Sequence, residues 1–152
     1  MHDTAQCLDR RGILARVPHQ GTSCLLDSLL SWDTQRIVCE TATHRDPHNV
    51  YRVDGRLSAV CAVEYAAQSF ALHACLKAGA DAAAATRIGY LASVREFSAT
   101  TNTLDTLAGM LRVESEELAA DENMLLYAFT VRHERKVIAQ GRAAIAFLRD
   151  SP

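Results

Sequence analysis

The stretch from Leu57 to Lys77 reads LSAVCAVEYAAQSFALHACLK, and it decides the fold. It is rich in Ala and Leu, which favour the helical state, and it is long enough for about five helical turns. On a helical wheel its residues divide into two faces. The predicted wetter face holds Tyr65, Ala66, Ser69, His73 and Lys77, and the predicted apolar face holds Val60, Val63, Ala67, Phe70, Ala71, Ala74 and Cys75.

One carboxylate, Glu64, falls inside the apolar face, and Gln68, one turn further on, is its only polar neighbour there. A carboxylate is seldom buried without a partner, because its charged form loses its hydration. A carboxyl group in such surroundings tends to have a raised pKa and can hold a proton near neutrality. Two interpretations follow. Glu64 is either a proton donor, or a structural residue made tolerable by Gln68 and a nearby arginine.

The composition is that of one globular domain, and we expect residues 1–152 to form it. Hydrophobic residues make up 49% of the chain, and the formal net charge of −2 argues against a nucleic-acid binder. The odd count of 5 cysteines, without a CxxC pair, indicates reduced thiols in a cytoplasmic protein. His and Cys show no metal-ligand spacing, and no apolar run reaches the length that we expect of a membrane span.

Strand patterns lie on both sides of the long helix. Two runs at 23–32 and 36–43, joined by a short polar link, predict a hairpin ahead of the helix. Three further β regions are expected after it. The first is divided into the segments 86–99 and 106–118, and the other two are 124–133 and 137–148. This order predicts an α+β protein in which an antiparallel sheet of five or more strands buries its apolar face on one helix. That architecture is the hotdog fold.

Several local motifs occur in an order that resembles the hotdog-fold 3-hydroxyacyl-carrier-protein dehydratases. The resemblance covers the chain from about residue 13 to 147. Within this family, the motifs resemble most specifically the dehydratases of aryl-polyene-type gene clusters. The motifs that carry it are VPH with PHQG (17–21), LLD (25–27), RIV (36–38), THRDP (43–47), DGRL (54–57), VEYAAQ (63–68) and ALH (71–73).

The resemblance implies that a 3-hydroxyacyl thioester on acyl carrier protein loses water to give the trans-2-enoyl thioester, without a metal or cofactor. In this family a histidine removes the proton next to the carbonyl, and an acid on the central helix, here Glu64, protonates the departing hydroxyl. Backbone N–H groups at the start of that helix, assigned to Ala59 and Val60, polarise the carbonyl. We expect Gln68 to hold Glu64 by a hydrogen bond, and we assign it to substrate binding together with Ala59 and Val60.

The histidine has no direct match, because the better-known family members carry it in a GHFPG-like motif just before the helix. Aligning that motif with DGR places Arg52 at its position, and we assign Arg52 to substrate binding. His44 in THRDP is the preferred base, His48 is the alternative, and the absence of a catalytic histidine is the third possibility. His19 is expected to have a capping or packing role, and His73 on the wetter face and His133 at a hairpin end are expected to have solvated roles.

Two other functions remain open at this point: a hotdog acyl thioesterase, and a non-catalytic hotdog subunit that binds an acyl chain or an active partner. We expect a homodimer or a hotdog heterodimer, because a lone subunit would expose a sheet edge. The carrier protein is typically acidic, so a basic docking patch is needed. Its candidates are Arg45, Arg52, Arg56, Arg87 and Arg95.

Overall fold

The computed structural model describes residues 7–79 and 89–148. Six antiparallel strands form one sheet, and a single long helix packs against it, which confirms the predicted hotdog fold. The helices are α1 (Arg10–Leu14) and α2 (Ala62–Ala78). The strands are β1 (Ser28–Trp32), β2 (Arg36–Thr41), β3 (Gly89–Ala99), β4 (Leu111–Ala120), β5 (Met124–His133) and β6 (Lys136–Phe147).

The strand order across the sheet is β1-β2-β4-β5-β6-β3. Two hairpins, β4–β5 and β5–β6, form its centre, and β1 and β3 are the two edges. Most of β3 is exposed, and it presents Tyr90, Leu91 and Val94 to the surface. An exposed edge with large apolar side chains is a surface on which another chain can pair.

Two predicted boundaries differ from the observed ones. The first strand begins at Ser28 and not at Ser23, because the backbone of Ser23 and Leu25 bonds to the side chain of Gln68 instead of to a strand. The strand expected at 106–118 is Leu111–Ala120. Part of the segment before it pairs with the approach to α2, where Leu104 N–H donates to the Leu57 carbonyl at 2.8 Å.

The long helix begins later than its sequence suggests. Residues Ala59–Cys61 form a single 3₁₀ turn, and α2 follows it. Gly79 caps the end of the helix with a φ of 60°, which a residue with a side chain rarely adopts. The span Ala59–Ala78 is long and apolar enough to cross a membrane by length and composition, contrary to our expectation. However, 56% of its apolar 18-residue stretch is buried inside the protein, so it is the core helix of this fold.

The predicted faces of α2 are wrong. Tyr65, Ser69 and His73, assigned to the wetter face, are completely buried against the sheet. The sheet supplies polar partners for them: the Ser69 hydroxyl lies 2.7 Å from that of Ser115, and His73 Nδ1 lies 2.5 Å from the Tyr127 hydroxyl. Because these polar groups are paired, they can be buried at little cost.

Much of the predicted apolar face of α2 lies towards the outside. Val60 is 62% exposed, and Ala67, Ala71 and Ala74 are only partly buried. Val63 and Phe70 are the exceptions, because both are buried in the core, where Phe70 stacks on Tyr127 with ring centroids 4.4 Å apart. The described chain therefore leaves a stripe of small apolar residues beside Glu64 that nothing in the single subunit covers completely.

Candidate active site

Glu64 occupies the first turn of α2 and is partly exposed. Three titratable side chains lie within range of its charge: His19, Tyr51 and Cys61. The pKa of Tyr51 is raised by burial, by the negative charge of Glu64 and by a side-chain hydrogen bond with that carboxylate. Burial and the same charge raise the pKa of the Cys61 thiol. Glu64 is thus the centre of a small polar cluster, and we call these four residues the Glu64 cluster.

His19 reaches this cluster from a segment far from α2 in sequence. We call residues 17–25 the strap, and its second half, residues 21–25, is bonded to α2 and to α1. The Gln68 side chain accepts a hydrogen bond from Leu25 N–H and donates one to the Ser23 carbonyl, each at 2.8 Å. The Arg10 guanidinium donates to the carbonyls of Gly21 at 2.9 Å and Cys24 at 2.8 Å. These bonds hold the strap beside the part of α2 that carries Glu64.

The imidazole of His19 is partly buried, and its Nδ1 is a buried atom with no hydrogen-bond partner among the described residues. Burial lowers the pKa of His19, and the charge of Glu64 partly offsets that effect. His19 is therefore neutral at pH 7. A buried, unpaired ring nitrogen costs stability, and such groups concentrate at sites where a ligand completes the bonding.

The preferred base, His44, lies in a different setting. Its side chain is completely buried, and Nε2 lies 2.8 Å from the Leu107 carbonyl, so this nitrogen carries the proton and donates it. Its Nδ1 is buried and has no hydrogen-bond partner in the part of the chain that the structure describes, and burial lowers the pKa of His44. The environment is that of a structural histidine, and the ring would have to move to meet a substrate.

The loop around His44 is fixed on α2 through Tyr65. The Tyr65 hydroxyl lies 2.8 Å from that of Thr43, and Asn49 Nδ2 donates to it at 3.2 Å. Burial raises the pKa of Tyr65 to about 12, so it stays protonated. His48, in the same loop, is exposed.

Arg52 closes this loop on itself. Its guanidinium donates to the carbonyls of Asp46 at 2.9 Å, Gly55 at 2.8 Å and His44 at 3.2 Å. These bonds give Arg52 a structural task, and its predicted contact with substrate stays a prediction.

The backbone donors predicted at the start of the helix differ from one another. Ala59 is buried, and its N–H already donates to the Asn102 carbonyl at 2.9 Å. Val60 is exposed, and its N–H makes only a long bond of 3.3 Å to the Ser58 hydroxyl. Val60 is therefore the better placed of the two to receive an oxygen from outside.

Gln68 bonds to other partners than the predicted one, and its predicted contact with substrate stays a prediction. Its amide oxygen and nitrogen both bond to the strap, and the predicted hydrogen bond to Glu64 is not formed. Gln68 acts instead as the anchor that fixes the strap on α2. The sequence pattern missed this anchor because its two partners lie more than 40 residues away along the chain.

The predicted basic patch is only partly preserved. Arg45 and Arg95 are exposed, whereas Arg56 forms an ion pair with Asp105 at 3.4 Å. Arg87 lies outside the described residues. Within residues 7–79 and 89–148, no group of three or more His, Cys, Asp or Glu side chains could hold a metal ion.

The Glu64 cluster has the chemistry of proton transfer. A carboxyl group can give or take a proton near a neutral imidazole, and Val60 N–H offers a donor nearby in sequence for a developing negative charge. The model for ApeP-like proteins, described as ApeP dehydratase, matches residues 12–149 of this chain. The chain belongs to the ApeP-like dehydratase family.

Solved structures support the fold of this ApeP-like chain. The dehydratase heterocomplex ApeI:P from Xenorhabdus doucetiae matches with a TM-score of 0.75 at 18% identity, over 90% of this chain and 91% of that one. A thioesterase from Haemophilus influenzae matches with a TM-score of 0.61 at 13% identity, over 96% and 94% of the two chains. A search of curated protein sequences found no significant match.

From the sequence, His19 was assigned to packing or capping, and that prediction missed its proximity to Glu64. The signal was present, because His19 belongs to the PHQG motif that carries part of the family resemblance. Sequence spacing alone gives no reason to place residue 19 next to residue 64. The solvated role predicted for His73 is wrong, since His73 is buried in the core. His133 lies at the predicted hairpin end, where its Nε2 donates to the Ala108 carbonyl at 2.6 Å.

Proposed function

We propose that this chain dehydrates a 3-hydroxyacyl thioester carried on acyl carrier protein to the trans-2-enoyl thioester, in fatty-acid- or aryl-polyene-type synthesis. One observation carries the proposal: in a chain of a dehydratase family, Glu64 begins the core helix with its carboxyl group partly exposed. A carboxyl at this position can meet a substrate and protonate its departing hydroxyl.

The proposed roles follow from the geometry around Glu64. Glu64 gives its proton to the hydroxyl on C3, and a histidine removes the proton on C2. The thioester oxygen would replace the Ser58 hydroxyl as the acceptor of Val60 N–H, so that the developing charge meets the start of the helix. The assignment of His44 as the base stays a prediction, and its burial speaks against it.

A second hotdog subunit, identical or different, is part of the proposal. The edge strand β3 exposes Tyr90, Leu91 and Val94, and the apolar stripe of α2 beside Glu64 is only partly covered. A subunit that pairs with this edge would remove apolar surface from water. The neighbour from Xenorhabdus doucetiae is itself a heterocomplex, which supports the heterodimer as one form of this arrangement.

Docking of an acidic carrier protein is proposed at exposed arginines, for which Arg45 and Arg95 are the candidates. We keep the cytoplasmic location as a proposal, consistent with the five thiols at Cys7, Cys24, Cys39, Cys61 and Cys75, all described and all free.

The thioesterase alternative has one observation in its favour. Because Glu64 is partly exposed, an ionised carboxylate that activates water would also fit there. The same experiment decides between the two activities.

The test is mass spectrometry of a 3-hydroxyacyl-carrier protein incubated with this chain, alone and with its hotdog partner. Loss of one water from the carrier-bound acyl group is the expected result. Release of the free acid would make the protein a thioesterase. An unchanged acyl group in both incubations would leave only the non-catalytic role and overturn the proposal.

A further inference from the structure

The connection between β3 and β4 lies against the stretch of chain that enters α2. Leu104 N–H donates to the Leu57 carbonyl at 2.8 Å, and Ala59 N–H donates to the Asn102 carbonyl at 2.9 Å. The residues between these two bonds form an antiparallel bridge. The two stretches therefore make a short ribbon, and we call its side at residues 56–60 the entry segment.

Asp105 fastens the entry segment with its side chain. One carboxylate oxygen accepts a hydrogen bond from Leu57 N–H at 2.9 Å, and the other lies 3.4 Å from the Arg56 guanidinium. The side chain of Asp105 is only 8% exposed. The hydrogen bond from Leu57 lowers the pKa of Asp105, so its carboxylate is ionised at pH 7. An ionised acceptor binds a backbone N–H more strongly than a neutral one does, so this bond is a firm attachment.

The connection that carries Asp105 is itself held by two histidines. His44 Nε2 donates to the Leu107 carbonyl at 2.8 Å, and His133 Nε2 donates to the neighbouring Ala108 carbonyl at 2.6 Å. One histidine comes from the loop after β2 and the other from the end of β5. The connection is therefore a rigid support for the entry segment, as the positioning of a reactive group requires.

The entry segment presents its backbone donors unequally. Leu57 N–H is bound by Asp105, and Ala59 N–H is bound by the connection. Val60 N–H has only the long bond of 3.3 Å to the hydroxyl of Ser58. Because the donors on both sides of Ser58 are held by the ribbon, the ribbon sets the direction in which Val60 N–H points.

We propose that Asp105 is a positioning residue for the elimination, which holds the entry segment so that Val60 N–H points at the thioester oxygen. This inference rests on the proposed function. As the proton leaves C2, the thioester oxygen gains negative charge, and a donor that is already fixed stabilises this charge without reorganisation. Asp105 acts only through the ribbon. Displacement of such a donor by about 1 Å can cost about 100-fold in rate.

The test compares two substitutions of Asp105 in the full chain, assayed with its hotdog partner. Asp105→Ala removes both acceptor oxygens, and kcat for dehydration should fall about 10-fold or more. Asp105→Asn keeps one oxygen for Leu57 N–H as a neutral and weaker acceptor, so kcat should fall only about 3-fold. The matched control is Glu116→Ala, which removes a carboxylate that pairs with Arg36 at 3.6 Å on β4, and its kcat should equal that of the natural chain.

The division between kcat and KM separates positioning from a purely structural role. Rates are expressed per folded molecule, with folding checked by circular dichroism. An interaction used only in the transition state lowers kcat and leaves KM nearly unchanged. Natural kcat in either folded variant of Asp105 would overturn the assignment, and so would a raised KM at natural kcat. An equal loss of kcat in Glu116→Ala would also overturn it.

Amide hydrogen exchange gives a second readout that does not depend on turnover. Exchange at Leu57 should become about 10-fold faster or more in Asp105→Ala, while exchange in β5 stays unchanged. Unchanged exchange at Leu57 would show that Asp105 does not hold the entry segment and would overturn the assignment. A natural chain that dehydrates no substrate would instead overturn the proposed function, and with it the catalytic part of this inference.

Discussion

The two ends of α2 carry similar chemical groups in opposite states. At the beginning of the helix, the Glu64 cluster is partly exposed, and His19 keeps an unpaired ring nitrogen. Towards the end of the helix, His73 is completely buried and both of its ring nitrogens are bonded. One end therefore has free bonding capacity, and the other end has used it.

The bonds at the His73 end form a closed network. His73 Nε2 donates to the Asp33 carbonyl at 2.7 Å, so Nδ1 accepts from the Tyr127 hydroxyl. Glu117 contacts the same hydroxyl and forms an ion pair with Lys77. This network ties α2 to the β1–β2 turn and to strands β4 and β5. We infer that the His73 end serves stability and that the Glu64 end serves chemistry.

The substitution Glu64→Gln is the most direct test of the different roles of the two ends of α2. It removes the proton donor with little change in volume, so dehydration should fall by a factor of about 100 or more while the fold persists. The rate is measured by mass spectrometry of the carrier-bound product, and the fold by urea unfolding. Full activity in this variant would remove Glu64, and with it the whole cluster, from the mechanism. Unchanged or increased stability would agree with a residue kept for chemistry.

The opposite change is His73→Phe, which should affect stability and not chemistry. Loss of the two buried hydrogen bonds should lower the free energy of unfolding by about 1–3 kcal/mol. Urea unfolding measures the loss, and His48→Phe is the exposed control that should show none. Dehydration per folded molecule should equal that of the natural chain. A stable variant with impaired chemistry would contradict the division of labour between the two ends.

The same contrast explains which features the sequence could predict. The element order and the position of the long helix depend on local patterns, namely Ala- and Leu-rich helical sequence and alternating strands, and both were predicted correctly. The buried and exposed faces of α2 were not predicted correctly, because apolar residues surround the helix on all sides. Its orientation is decided by partners such as Ser115 and Tyr127, which lie far away in the sequence.

The site residues differ in the same way: those marked by a local pattern could be predicted, and those placed by distant contacts could not. Glu64 could be singled out from the sequence as a carboxylate among apolar neighbours on one helix. His19 could not be joined to it, since that proximity depends on the strap and on the Gln68 anchor, and neither leaves a local pattern. The His44 prediction followed a motif whose histidine the fold places inside the protein.

The last prediction concerns the pH dependence of stability, which tests the His73 end from another direction. Burial lowers the pKa of His73, as it does for His44 and His19, so the folded chain binds protons less readily than the unfolded chain. These groups contribute their full stability above the unfolded pKa of about 6.5. That contribution is lost as the pH falls from this value towards the lower pKa of the folded state.

Urea unfolding at pH 7.5 and pH 5.5 should therefore give a lower midpoint at the acidic value. Each buried histidine can contribute at most about 1.4 kcal/mol per pH unit to this slope. The His73→Phe variant should lose only the part of this pH dependence that His73 contributes. It should keep the remaining part, because His44 and His19 are still present. An unchanged slope in that variant would mean that His73 accepts its proton as readily when folded as when unfolded. The closed network would then tolerate a charge, and the distinction between a satisfied end and an open end of α2 would have to rest on exposure alone.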